Sequence, residues 1–180
     1  TISGPRSVCQ NTLHTYSTPG FPGHTYTWSV GGGNIIRSGQ GSPNVTVEWT
    51  LPGTYNLSVV ETNTFNCSVT NRISVRVNEL PTAKITASGP VVFCQGGDVT
   101  LSAPIGFASY VWSTGETSRS IVVRTTGQYW VKVTDANGCS NNSDTISVSV
   151  FPSSLPIISL SGPTTFCEGG EVTLTAPAGF

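Results

Sequence analysis

The chain has 180 residues, 9% of them charged, with eight Lys or Arg, nine Asp or Glu and a formal net charge of −1. Ordinary soluble domains carry about 25% charged residues, and here the few basic ones are scattered, so nucleic acid is not expected as a partner. No run of about eighteen apolar residues occurs, so no transmembrane segment is expected in this window.

Taken in chain order, the predicted elements are all strands. Val45-Thr46-Val47-Glu48-Trp49 and Ile73-Ser74-Val75-Arg76-Val77 alternate apolar and polar residues at the two-residue period of a half-buried strand. Further strands are predicted near Leu13–Ser17, Thr25–Val30, Gly53–Glu61 and Ile73–Asn78, then near Val99–Ala103, Tyr110–Ser113, Ser120–Arg124, Gln128–Asp135 and Thr145–Val150. The two sets correspond: Trp28-Ser29 matches Trp112-Ser113, and Gly53-Thr54-Tyr55 matches Gly127-Gln128-Tyr129. Helical periodicity is absent, and Gly and Pro punctuate the chain too often for long helices.

Ser-Gly-Pro followed by Cys occurs three times, at Ser3…Cys9, Ser88…Cys94 and Ser161…Cys167. Residues 88–107 and 161–180 agree almost residue for residue, so the chain is a repeat array with a spacing of roughly 70 to 85 residues. The expected organisation is one module over 1–80, a second over 81–152 and the first part of a third over 153–180. Linkers are expected at Glu79–Thr82 and Phe151–Pro156, stiffened by their prolines. With no initiating Met or leader at Thr1 and a stop in mid-repeat, the chain is expected to be a window from a longer protein.

Modules this small bury modest cores, which turns attention to the five cysteines. Each Ser-Gly-Pro cysteine is answered by a second one before the next linker, giving Cys9–Cys67 and Cys94–Cys139 as expected disulfides. Each would close a loop of roughly 45 to 60 residues and contribute about 4 kcal/mol. Cys167 is then unpaired by truncation, and an oxidising, extracytoplasmic location follows. No Cys-x-x-Cys spacing supports a thiolate metal site, so no metal and no cofactor are expected.

Short strands about 8 to 12 residues apart, with a Trp between two cysteines, predict an all-β fold of tandem immunoglobulin-like sandwiches. Trp28 and Trp112 are expected in the cores. Tyr55, Leu57 and Val59 should face inward, as should Tyr129, Val131 and Val133.

Several stretches carry a resemblance. Ile2-Ser3-Gly4-Pro5…Cys9, Thr25-Tyr26-Thr27-Trp28-Ser29-Val30, Ser38-Gly39-Gln40-Gly41, Val45–Trp49 and Cys67 resemble the PKD-like module of Bacteroidetes surface proteins. Residues 83–150, with Cys94-Gln95-Gly96-Gly97, Tyr110-Val111-Trp112 and Thr134-Asp135-Ala136-Asn137-Gly138-Cys139, resemble its companion Ig-like repeat. The resemblance implies tandem arrays exported by type IX secretion, including SprB-type gliding adhesins, and spacers in secreted hydrolases. It implies as partners the type IX secretion and gliding machinery at the outer membrane, and a surface polysaccharide or solid substratum. PKD domains proper carry Trp-Asp-Phe-Gly-Asp-Gly; here the stretch is Trp28-Ser29-Val30-Gly31-Gly32-Gly33, so roles tied to those aspartates are not carried over.

An enzyme needs converging polar groups, and the carboxylates are spread singly, with no nucleophile elbow, phosphate loop or zincin motif. His14 and His24 read as exposed strand-end residues. Asp135-Ala136-Asn137-Gly138 has the start of a calcium loop without the remaining ligands and reads as a turn. Trp130 lies out of phase with Tyr129 and Val131, so it is expected on an outer face, where an aromatic could stack on a sugar ring. Asp144-Thr145-Ile146 resembles the Bacteroidetes O-glycosylation acceptor, making Thr145 a candidate glycan site. The expected function is a non-catalytic repeat segment of a secreted or cell-surface adhesin, an extended stalk or a multivalent array. The alternative is a spacer or carbohydrate-binding module of an exported hydrolase.

Overall fold

Alternation of apolar and polar residues forces each strand to bury one face, and two such sheets must close on each other. The structure is a computed structural model that describes residues 1–153 and 156–177. Ser154 and Leu155 of the expected second linker, and Ala178, Gly179 and Phe180 of the third repeat copy, lie outside the described residues. The first module holds β1 (Ser7–Cys9), β2 (Thr12–Ser17), β3 (Thr25–Val30), β4 (Ile35–Ser38), β5 (Asn44–Trp49), β6 (Gly53–Thr62) and β7 (Ser68–Asn78). The second holds β8 (Thr86–Ala87), β9 (Val92–Cys94), β10 (Val99–Ser102), β11 (Ser109–Trp112), β12 (Ser120–Val123), β13 (Gly127–Tyr129), β14 (Val131–Thr134), β15 (Ser140–Asn142) and β16 (Ile146–Phe151). A short hairpin follows, β17 (Ser159–Leu160) with β18 (Leu174–Thr175). Among the described residues there is no helix, and hence none long and apolar enough to cross a membrane.

In the first module the sheets run β1-β7-β6-β3 and β2-β5-β4. Tyr16, Val45, Val47 and Trp49 from one sheet meet Trp28, Leu57, Val59, Ile73, Val75 and Val77 from the other, all buried. Tyr55 is half-buried and stacks on Trp49 with ring centroids 6.4 Å apart. The Trp28 indole N–H donates to the Ser42 carbonyl at 2.9 Å, whereas the buried Trp49 indole N–H has no partner. Strand β3 is a sheet edge, and the Gln40 side chain covers it: its Oε1 accepts from the Trp28 N–H (2.7 Å) and its Nε2 donates to the Trp28 carbonyl (2.8 Å).

The second module repeats the plan in shorter pieces. β9 pairs with β16 as β1 does with β7, parallel in both cases, and β10 pairs with β12 as β2 does with β5. Its buried core takes in Val99, Leu101, Trp112, Ile121, Val131 and Val133, with the Trp112 indole donating to Ser118 O at 2.8 Å. The expected strand Gln128–Asp135 is broken at Trp130. The Val131 N–H turns to the Ser143 hydroxyl and the Ser143 N–H to the Val131 carbonyl, so the ladder is interrupted between β13 and β14. The expected strand Ile73–Asn78 begins five residues earlier, at Ser68.

The short strands β1, β4, β8, β9, β15, β17 and β18 escape the alternation pattern. Two of them decide the chemistry of the cysteines. Strand β7 runs the length of its module and ends at Asn78, where the chain leaves for the second module. Because β1 is parallel to β7 and Cys9 lies opposite Asn78, Cys9 sits at this exit pole. Cys67 precedes Ser68, the first residue of β7, and so sits at the opposite, entry pole. In the second module Cys94 lies opposite Phe151 at the exit pole, and Cys139 precedes β15 at the entry pole.

Candidate functional site: the junction between the modules

Eleven residues of strand span on the order of 30 Å, whereas a disulfide bridges Cα atoms at most about 7 Å apart. The expected Cys9–Cys67 and Cys94–Cys139 bonds therefore do not form. The structure instead joins Cys9 to Cys139, with Cα atoms 5.5 Å apart and 130 residues between them in sequence. The exit pole of one module is thereby bonded to the entry pole of the next. Cys67, Cys94 and Cys167 are free and exposed.

Each entry-pole cysteine closes the same hairpin. In the first module the Asn63 N–H donates to the Cys67 carbonyl at 3.0 Å, and Asn63 Oδ1 accepts from the N–H groups of Phe65 (2.9 Å) and Cys67 (3.0 Å). In the second, the Asp135 N–H donates to the Cys139 carbonyl at 2.9 Å, and Asp135 Oδ1 accepts from Asn137 (2.9 Å) and Cys139 (2.8 Å). Asn66 and Gly138 hold the same left-handed position, φ 61° and 82°. Asp135 is thus engaged as a turn former. Burial acts to raise its carboxyl, and the N–H groups of Cys139, Asn137 and Gly138 with the Asn137 side chain outweigh that, leaving it below the ordinary value.

The linker is docked between the modules: Pro81 is buried, and its carbonyl accepts from Asn141 Nδ2 at 3.1 Å. Beside it lies an open cleft of about 490 Å³, walled by Gly53, Arg76, Asn78 and Glu79 of the first module and by Asp135 and Asn137 of the second. Cys139 is fully buried by this junction, whereas Cys67 at the same hairpin position is exposed.

The remaining predicted residues stay apart. Trp130 is 36% exposed at the break between β13 and β14, and its N–H and carbonyl face Ser113. Thr145 is exposed just before β16. His24, expected as an exposed strand-end residue, is half-buried and paired through Nδ1 with Glu61 Oε1 at 2.7 Å, close to Cys67 in a shallow groove. Burial pushes the His14 imidazole below its ordinary value. Glu48 pairs with Arg37. Among the described residues no three His, Cys, Asp or Glu side chains come together as a metal site would require. Sequence reasoning missed Asn141 and the Asn63/Asp135 pair. The latter could have been found by aligning Asn63-Thr64-Phe65-Asn66-Cys67 with Asp135-Ala136-Asn137-Gly138-Cys139.

Residues 1–77 match the family described as the PKD-like domain. No curated protein matches the chain. Among solved structures it is similar to the fibronectin(III)-like modules of CbhA from Clostridium thermocellum, with 14% identity and a TM-score of 0.40 over 84% of this chain and 95% of that one. A C-terminal fragment of intimin, solved with the intimin-binding domain of its translocated receptor, gives 16% identity and a TM-score of 0.46 over 88% and 65%. SGBP-B of the Bacteroides ovatus mixed-linkage glucan utilization locus, solved with a heptasaccharide, gives 16% identity and 0.33 over 79% and 42%. The fold is an immunoglobulin-like β-sandwich, built twice, and the first copy is PKD-like.

Proposed function

We propose that this chain is a non-catalytic segment of a secreted or cell-surface repeat protein, acting as an extended stalk or multivalent array of the adhesin type. The observation that carries the reading is the Cys9–Cys139 bond. In each module the chain enters at one pole and leaves at the other, and the bond fixes exit pole to entry pole. A bonded, prolyl-linked junction keeps successive modules from folding back, so reach grows with module number. Such a bond persists in an oxidising compartment, which supports an extracellular location. The finer assignment, export by type IX secretion onto the outer membrane exterior of a Bacteroidetes cell and a role in gliding or attachment, is supported by the motif resemblance at Trp28, Trp112 and the repeated cysteines.

Small-angle scattering of the oxidised and the reduced chain tests the stalk. Oxidised protein should give a narrow inter-module distance distribution that broadens on reduction; indistinguishable curves would remove the argument.

A second reading, carbohydrate binding in a spacer or module of an exported hydrolase, is favoured by one observation, the exposed Trp130 at a strand break. Saccharide titration of the chain and of Trp130→Ala decides it: a stacking ring predicts binding that the variant loses, and no binding by either would end this reading. Exposed Thr145 is proposed as the glycan acceptor, and an unmodified intact mass of native protein would exclude it.

A further inference from the structure

We propose that Cys94 and Cys67 are the two unjoined halves of the Cys9–Cys139 linkage. Cys94 takes the hairpin cysteine of another module stacked on its exit pole, and Cys67 takes the exit-pole cysteine of another module stacked on its entry pole. The inference goes beyond the stalk reading, because it specifies a covalent partner and its polarity, and it holds whatever the array binds.

The argument is one of equivalent parts. Cys94 occupies the place of Cys9. Each ends a three-residue strand parallel to the last strand of its module, and the next residue, Gln10 or Gln95, donates its N–H to Asn78 O (2.8 Å) or Phe151 O (2.7 Å). Cys67 occupies the place of Cys139 in a hairpin with the same backbone and side-chain hydrogen bonds. One member of each pair is bonded to one member of the other, and the remaining two are exposed.

The surface around Cys94 is also that of a receiving pole. At the junction the second module's hairpin residues Asp135 and Asn137 line a cleft against Pro52, Val77 and Asn78 of the first. The counterparts of these walls in the second module, Thr126, Val150 and Phe151, line an open groove of about 320 Å³ with Gln95 and Pro152. Phe151 and Val92 beside it are 58% and 54% exposed, an apolar rim suited to burial under another module. The occupant that fits is an Asx-turn hairpin with a terminal cysteine, the kind this chain carries at Asn63–Cys67. Exit pole on entry pole is a heterologous contact, so it propagates along an axis and does not close into a symmetric pair.

Forming the bond requires a disulfide oxidant, here oxidised glutathione. The Cys94 thiolate attacks a glutathione sulfur and expels one glutathione thiolate. The Cys67 thiolate then attacks the Cys94 sulfur of the mixed disulfide and expels the second, so two thiols are oxidised, one glutathione disulfide is reduced to two glutathiones, and the two thiol protons pass to the expelled glutathione thiolates.

The test uses the full chain in a Cys167→Ser background, with Cys67→Ser and Cys94→Ser prepared separately in oxidised glutathione. Both replaced cysteines are exposed, and an unchanged thermal transition checks that each variant folds. Each alone should remain monomeric on a non-reducing gel. Their mixture should give a reducible heterodimer exceeding either homodimer by about tenfold, with Cys94 joined to Cys67 in the peptide map. The background chain carrying both cysteines should give a head-to-tail ladder. Homodimers formed as readily as the heterodimer, or no heterodimer at all, would overturn the proposal.

Discussion

Asn63–Cys67 and Asp135–Cys139 are one hairpin made twice, with the same turn hydrogen bonds, the same left-handed position and the same closing cysteine, yet one cysteine is exposed and the other fully buried in a bond to a different module. Their backbone geometry does not separate them. What differs is whether an exit pole lies against the hairpin, so the state of a cysteine here is a property of the junction. The largest test of that comparison removes the bond. With the second module folded, the bond closes the first module's unfolded chain into a loop of roughly 70 residues, and with the first folded it closes one of roughly 60 in the second. Chain entropy puts either at about 4 kcal/mol. Cys9→Ser or Cys139→Ser should therefore destabilise both modules by up to that amount in urea titrations, while Cys67→Ser should stay within about 0.5 kcal/mol of the parent. A Cys67→Ser loss as large as that of Cys139→Ser would return the pairing to within the first module.

The next largest effect separates two copies of one motif. Gly4 and Gly89 both sit in Ser-Gly-Pro, but Gly4 has φ +145° and a Cβ there would come within 2.3 Å of the Tyr16 ring, whereas Gly89 has nothing within 4 Å. Gly4→Ala combines backbone strain with a clash in a filled core and should cost about 3 kcal/mol. Gly89→Ala should be close to neutral, and equal effects at the two positions would show that the motif itself carries the constraint.

Much of this was legible in the sequence because it follows from alternation. Trp28 and Trp112 are buried as expected, Leu57, Val59, Val131 and Val133 face inward, and Trp130 points out. The Thr25–Val30 strand keeps its predicted ends. The cysteine pairing was not legible, and the cause is specific. Strands β1 and β9 are three residues long and are held by parallel pairing to the last strand of their module, a long-range contact with no local signature. Without β1, Cys9 has no pole, and sequence proximity favours the wrong partner. A bond between modules cannot be inferred from one repeat's pattern, because it depends on how the poles of two repeats face each other.

The core offers a titratable comparison between the modules. Tyr16 and Leu101 stand at matching positions, each three residues before the proline whose carbonyl accepts a tyrosine hydroxyl, and both are fully buried. Burial pushes the Tyr16 hydroxyl up to about 12, and the Trp49 indole pulls it back only weakly, without a well-formed hydrogen bond from Trp49 Nε1. A raised phenol means that the stability contributed by its neutral form is complete below pH 10 and is lost as pH rises toward 12, at most about 2 kcal/mol. The first module should melt earlier than the second over that window. Tyr16→Phe should abolish the difference and, by removing an unpartnered buried hydroxyl, raise stability at neutral pH by about 1 kcal/mol. A persistent alkaline loss in Tyr16→Phe would place its origin elsewhere.

The smallest effect returns to the two hairpins, where the turn former is neutral Asn63 in one and ionised Asp135 in the other. The turn's N–H donors hold Asp135 below its ordinary value of 3.8, so its contribution is present above that pH and is lost as acid protonates the folded carboxyl. The group is near the surface, so solvent screening keeps the effect below all those above. Acid should nonetheless act on one hairpin and spare the other. Below about pH 4, hydrogen exchange at the Asn137 and Cys139 amides should quicken, while the Phe65 and Cys67 amides keep their protection relative to the intrinsic rate. Asp135→Asn should make the second hairpin as indifferent to acid as the first, and Asn63→Asp should transfer the sensitivity to the first. If the exchange profile instead followed Cys139 burial whichever residue stood at 135, the junction would be what holds that turn closed, and the shared Asx geometry would be its consequence.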